Sequence, residues 1–147
     1  ELIFSDSTLT IKAVADELKG LSALRLPKIK QIAEGTILKF TTTAPIKLLI
    51  GYFNDRSAGY LRAPQLENDA SANDYGQADA KIQNAVWIPG MPSVNVHSYS
   101  FKPGTHTLTL GKGMCLVLGA VPDSEQIRVY DAALQDAGTK VLDWLFD

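Results

Sequence analysis

The stretch VNVHSYSFKPGTHTLTLGKG, residues 94–113, decides how the chain is read. Polar and apolar residues alternate along it with the two-residue period of strands, and Pro103-Gly104 interrupts the alternation. That dipeptide suits the central positions of a type II turn, proline presetting its own backbone angle and glycine accepting the positive one. A hairpin is therefore expected. Its register would set Lys102 opposite Thr105, Phe101 opposite His106, Tyr99 opposite Leu108 and His97 opposite Leu110. The Tyr, Phe and Leu set would face the core, and the Ser and Thr set would face away.

Working outward, Gly111-Lys112-Gly113 makes a second turn into an apolar strand, Met114 to Val121, which Pro122-Asp123 ends. Upstream, GTILKFTTTAP (35–45) places Leu38 and Phe40 on one face with Thr36 and Thr42, and Lys39 and Thr41 on the other, as in a half-buried strand. In IKLLIGYFN (46–54) both faces are apolar, which marks a central strand covered on both sides. LTIKAVADELKGL (9–21) fits helix and strand equally well; EQIRVYD (125–131) reads as a strand and VLDWLFD (141–147) as a short strand or helical turn. Trp144 there is assigned to the core. Short strands divided by Gly and Pro turns, with no strand-helix repeat, imply a mainly β chain, an antiparallel β-sandwich with at most one or two short helices. Residues 1–147 form one domain in this reading, with no internal repeat and no linker.

Composition excludes several classes of function. Hydrophobic residues make up 46% and charged residues 20%, so the chain is globular, with a core large enough to need no disulfide or metal. Fourteen basic and 16 acidic residues are spread along it, giving a net charge of −2 without the basic stripe that a nucleic-acid partner requires. The longest apolar runs fall far short of the roughly 20 residues that span a bilayer. Cys115 lies within such a run, MCLVLGAV, where its thiol is expected to pack. The chain starts at Glu1 without a basic-then-apolar leader and reads as a processed protein or an excised domain.

Catalytic and metal motifs mostly fail. Asp69, Ser71 and Asn73 sit at the first three ligand offsets of an EF-hand loop, but Asp74 and Ala80 occupy the positions that need Gly and a bidentate carboxylate. No cofactor is expected, and an irregular calcium site using Glu67, Asp69 or Asp74 stays open beside the simpler reading of solvated turn acids. His97, His106 and Cys115 lack the close spacing of a zinc site. The GKG tripeptide is not followed by Ser or Thr, as a phosphate loop requires, and no G-x-S-x-G elbow surrounds Ser57. Paired carboxylates for hydrolysis stay open among Asp55, Glu67, Asp69, Asp74 and Asp79.

The remaining feature is YFNDRSAGYLRAPQLENDASANDYGQAD, residues 52–79, which has neither strand nor helix period. Structureless loops beyond about 12–15 residues are uncommon in compact domains and are often functional. This one carries aromatic faces, planar cations and short amides, a mixture suited to sugar rings and their hydroxyl pairs. Candidate ligand-binding residues are Asn54, Asp55, Arg56, Tyr60, Arg62 and Tyr75, with Trp87 in NAVWIPGMP as a rim platform. For each of them, packing of the loop or its turn is the competing reading.

Two runs, APIKLLIGYFND (44–55) and VHSYSFKPGTHTLTLGKGMCLVLGAV (96–121), resemble the strands of ancillary β-sandwich modules, galactose-binding-like or jelly-roll, of large secreted bacterial glycoside hydrolases and polysaccharide lyases. The resemblance covers about half the chain and implies a non-catalytic role in polysaccharide degradation, a secreted, cell-surface or periplasmic location, and sugar binding on loops at the sandwich edge. A glycan and an adjoining catalytic domain would be the partners. The chain lacks the row of exposed Trp residues found in well-known carbohydrate-binding modules. Three functions follow: a carbohydrate-binding or accessory module, a structural interdomain module without a ligand, or a small glycan-active hydrolase or lyase using loop carboxylates.

Overall fold

The computed structural model describes residues 11, 13–21, 23–55, 59–62 and 78–134, with the backbone alone for 78–80. The chain is mainly β. Its strands are β1 (Ala13–Val14), β2 (Thr36–Thr42), β3 (Ile46–Phe53), β4 (Ala78–Trp87), β5 (Val94–Phe101), β6 (Gly104–Leu110), β7 (Cys115–Pro122) and β8 (Tyr130–Asp131), with one α-helix, α1 (Lys28–Glu34). Six strands form one sheet in the order β1-β4-β5-β3-β7, with β8 alongside β4, and β2 pairs with β6 in a two-stranded ribbon. All pairs are antiparallel except β4 with β8. The larger sheet curls as a half-barrel, and the register shifts in β3 and β4 supply the extra local twist that such curling needs.

Strand β3 shows why the large sheet is apolar on both faces. Leu49 and Phe53 point into one cluster with Ile82, Val86, Val94, Val96, Leu116 and Leu118, beneath Ala15 and Leu18 of the N-terminal segment. Leu48, Ile50 and Tyr52 point into the other, where Leu38, Leu108 and Leu110 of the ribbon lie against Tyr99, Phe101 and Val117. As expected, β3 is a central strand, with β5 and β7 on its two sides. Within β3, Gly51 lets the strand lie close against its neighbour: a Cβ there would lie 2.7 Å from Val94 Cγ1.

The expected hairpin at Pro103-Gly104 is corrected. Both edges of β5 are already paired, with β3 and β4, so β6 has no edge to join and crosses to β2 instead. The chain turns a corner between sheets there. Alternation still assigned the faces correctly, since Tyr99, Phe101, Leu108 and Leu110 share one cluster. Phe101 and His106 also meet as expected, with ring centroids 5.0 Å apart, across the corner rather than across a ladder. The outward Thr41 and Thr105 hydroxyls pair at 3.0 Å.

The N-terminal segment that fitted helix and strand equally is both in succession: β1, then a 3-10 turn over Asp16–Leu18. Of the strand expected in 125–131 only β8 forms, and the final segment with Trp144 lies outside the described residues. Helix α1 has no counterpart in the sequence reading. Pro27 precedes it and Gly35, at φ 86°, ends it, the usual proline-before, glycine-after asymmetry. Its buried residue is Gln31, whose side-chain amide donates to Thr36 Oγ1 (3.1 Å) and the Cys115 carbonyl (3.2 Å), while its backbone carbonyl accepts from the Gly35 and Gly113 N–H groups.

Cys115 packs there, as expected, and burial pushes its pKa from 9.0 up to about 12. Between those values the folded chain keeps a proton that the unfolded chain has released. Stability should therefore fall as pH rises through that window, by up to about 1.4 kcal/mol per pH unit. Urea midpoints measured on either side of pH 9.0 should show a steeper alkaline decline in the wild type than in Cys115→Ala. Equal slopes would refute the assignment.

Candidate functional site

The described candidates from the long loop gather at one end of the large sheet. Asn54 leaves β3 exposed, its N–H donating to the Ser93 carbonyl (2.7 Å), and Asp55 turns back on Phe53 through a 2.8 Å backbone bond. Tyr60 is half-buried with its ring 5.3 Å from that of Phe53, so it packs the loop against the core. Arg62 is exposed. Trp87, half-buried, ends β4 opposite Ala13. Arg56 and Tyr75, and the calcium candidates Glu67, Asp69 and Asp74, lie outside the described residues. The loop re-enters the sheet as β4 at Ala78.

Close to that end lies a cleft of about 250 Å³ lined by Lys81, Gln83, Asn95, His97, Tyr130 and Asp131, with Ile82, Val96 and Val129. Its polarity follows from β5. Asn95 and His97 continue the face that carries Tyr99 and Phe101, but here the side chains are polar; the buried His97 ring stands edge-on to Tyr52 at 5.0 Å.

One wall of the cleft is built by Asn84. This residue lies in β4 where the register with β5 shifts, at φ 48°, a left-handed conformation that asparagine tolerates better than most residues. Its backbone N–H donates to Asn95 Oδ1 (3.0 Å), and its side chain accepts from Ser93 Oγ (2.5 Å) and donates to Asp131 Oδ1 (3.0 Å). Asp131 Oδ1 also accepts from the Ala133 N–H (2.7 Å). Two elements distant in sequence, β4 and β8, are thereby fixed together.

Tyr130 is less available than its place in the lining suggests. Its hydroxyl donates to Glu17 Oε1 (2.6 Å), which raises its pKa above the usual tyrosine value, and the Arg128 guanidinium lies 4.4 Å over its ring. The exposed Gln83 and the half-buried Lys81 and Asn95 are the lining groups best placed to meet a ligand, and the buried His97 lines the same cleft. Sequence reasoning missed the cleft residues as a set. The signal present was Asn84 inside a strand, where asparagine is disfavoured and marks a bulge. Among the described residues no three His, Cys, Asp or Glu side chains converge to hold a metal ion. No helix of the described residues is long and apolar enough to cross a membrane.

Comparison with known proteins gives a likeness at the level of a segment. A solved structure of a GH138 enzyme targeting pectin rhamnogalacturonan II matches 90% of this chain at 40% identity with a TM-score of 0.82. The chain spans 15% of that enzyme's length. No family model matches the chain, and no curated protein does. The likeness links the chain to carbohydrate-active enzymes.

Proposed function

We propose that the chain is a non-catalytic accessory module of a secreted glycan-degrading enzyme, of the β-sandwich kind, and that it contacts glycan through the polar cleft and the loop end beside it. The observation that carries this reading is the 40% identity over 90% of the chain to a segment only 15% as long as a glycoside hydrolase. Cleft chemistry points the same way. Amides and a histidine beside an aliphatic rim suit hydroxyl pairs and C–H faces, whereas glycoside hydrolysis ordinarily needs two facing carboxylates. Among its described lining residues the cleft has one, Asp131, whose Oδ1 accepts from Asn84 and from the Ala133 N–H.

The test is titration of the domain with pectin oligosaccharides, followed by nuclear magnetic resonance, with unrelated glucans as controls. Binding near about 1 mM, roughly 4 kcal/mol, is expected, with shifts at Gln83, Asn95 and His97. Gln83 is exposed, so Gln83→Ala should leave folding intact and weaken binding about fivefold, the loss of ~1 kcal/mol from one hydrogen bond. An absence of shifts with every glycan would sink the reading.

A further inference from the structure

Helix α1 has its polarity reversed. At 3.6 residues per turn, Ile29 and Ala33 fall on the face opposite Gln31, and Ile32 lies on its flank. Gln31 is 2% exposed and faces the core, whereas Ile29 is 67% and Ile32 40% exposed, and Ala33 is exposed too. Leu24 before the helix is 53% exposed and Ile37 after it 60%. Thus four of the five large apolar side chains exposed among the described residues fall within residues 24–37. Singly such residues are ordinary, but clustered they mark an interaction surface. Arg25 and Lys30 are exposed within it and Lys28 is half-buried, against one acid, Glu34. Alongside runs a groove of about 350 Å³, lined by Leu26, Pro27, Lys30, Glu34, Gly35 and Ile37 among others.

We propose that this face docks the domain onto an adjoining domain of a longer polypeptide, against an apolar surface bearing carboxylates, with an apolar side chain seated in the groove. The proposal rests on the accessory-module reading. The chain's counterpart in the GH138 enzyme occupies 15% of a far longer polypeptide, so a neighbour within the same chain is the nearest available partner. A second copy fits less well, because self-pairing would bring two net-positive patches together.

Hydrogen exchange of residues 24–37, compared between the 147-residue chain and the full-length polypeptide that contains it, tests this. The full-length polypeptide should protect the segment by about tenfold or more, and Ile29→Lys with Ile32→Lys should abolish the protection. In the 147-residue chain the same double substitution should leave the melting temperature unchanged. Equal exchange in both contexts, or a full-length polypeptide without a further domain, would overturn the proposal. So would a wild-type dimer broken by the substitutions, which would identify a second copy, or a fall in melting temperature, which would show that the chain covers these residues itself. Glycan titration separates the two readings: protection without glycan binding would overturn the glycan contact and support docking, and glycan binding without protection would do the reverse.

Discussion

Replacing Gly113 with alanine is expected to destabilise the domain by about 3 kcal/mol, combining overpacking with a strained positive φ. Gly113 sits at φ 132°, and a Cβ there would lie 2.6 Å from the Tyr60 carbonyl carbon and 2.7 Å from Leu61 Cα. Both are backbone atoms of the loop, so no side chain can swing aside. Two backbone bonds hold the loop there, Met114 N–H to the Gly59 carbonyl and Leu61 N–H to the Met114 carbonyl, while Gly113 N–H itself donates to the Gln31 carbonyl of α1. Gly111→Ala is the control. Its Cβ would meet only the Leu61 Cδ1 methyl, at 3.3 Å, and should cost less than about 1 kcal/mol. Urea unfolding of both variants decides the matter; a Gly113→Ala variant as stable as Gly111→Ala would show that the loop is not pinned at this point.

Asn84 should give the second large effect. Asn84→Ala removes the side-chain bonds to Ser93 and Asp131 and leaves a Cβ-bearing residue at φ 48°. A loss of about 2–4 kcal/mol is expected, because a part-buried hydroxyl and a carboxylate oxygen lose a partner. Asn84→Gly loses the same bonds yet accepts the left-handed backbone freely, so it should be about 1 kcal/mol more stable than the alanine variant. Chemical denaturation measures both. If alanine and glycine prove equivalent, strain at this position is refuted. Because Asn84 ties β8 to β4, both variants should also loosen the Tyr130 and Asp131 wall of the cleft and reduce glycan binding.

Gly113 and Asn84 differ in how much of their role is written in the local sequence. Gly113 was legible as a turn glycine, but not the Tyr60-Leu61 backbone above it, because a contact between residues more than fifty positions apart leaves no local trace. Asn84 stands out locally only as an asparagine within a strand, and its partners Ser93, Asn95 and Asp131 are set by the sheet. The burial of β2 and β3 was read correctly because alternation at period two reports which side of a sheet each residue faces. Helix α1 escaped because its period is inverted: isoleucines outward and glutamine inward defeat a rule that assumes water on the polar side.

The stretch 94–113 separates what the sequence determined from what only the tertiary structure decided. The sequence by itself determined that two strands meet at Pro103-Gly104 and which side chains enter the core, since proline, glycine and alternation act over a few residues. Only the tertiary structure decided the strands' partners. A strand's hydrogen-bonding edges are not labelled by its side chains, and β5 satisfied both of its edges with β3 and β4, sending β6 to β2. The same holds for the cleft, where Gln83, Asn95, His97 and Asp131 meet because the sheet brings β4, β5 and β8 side by side.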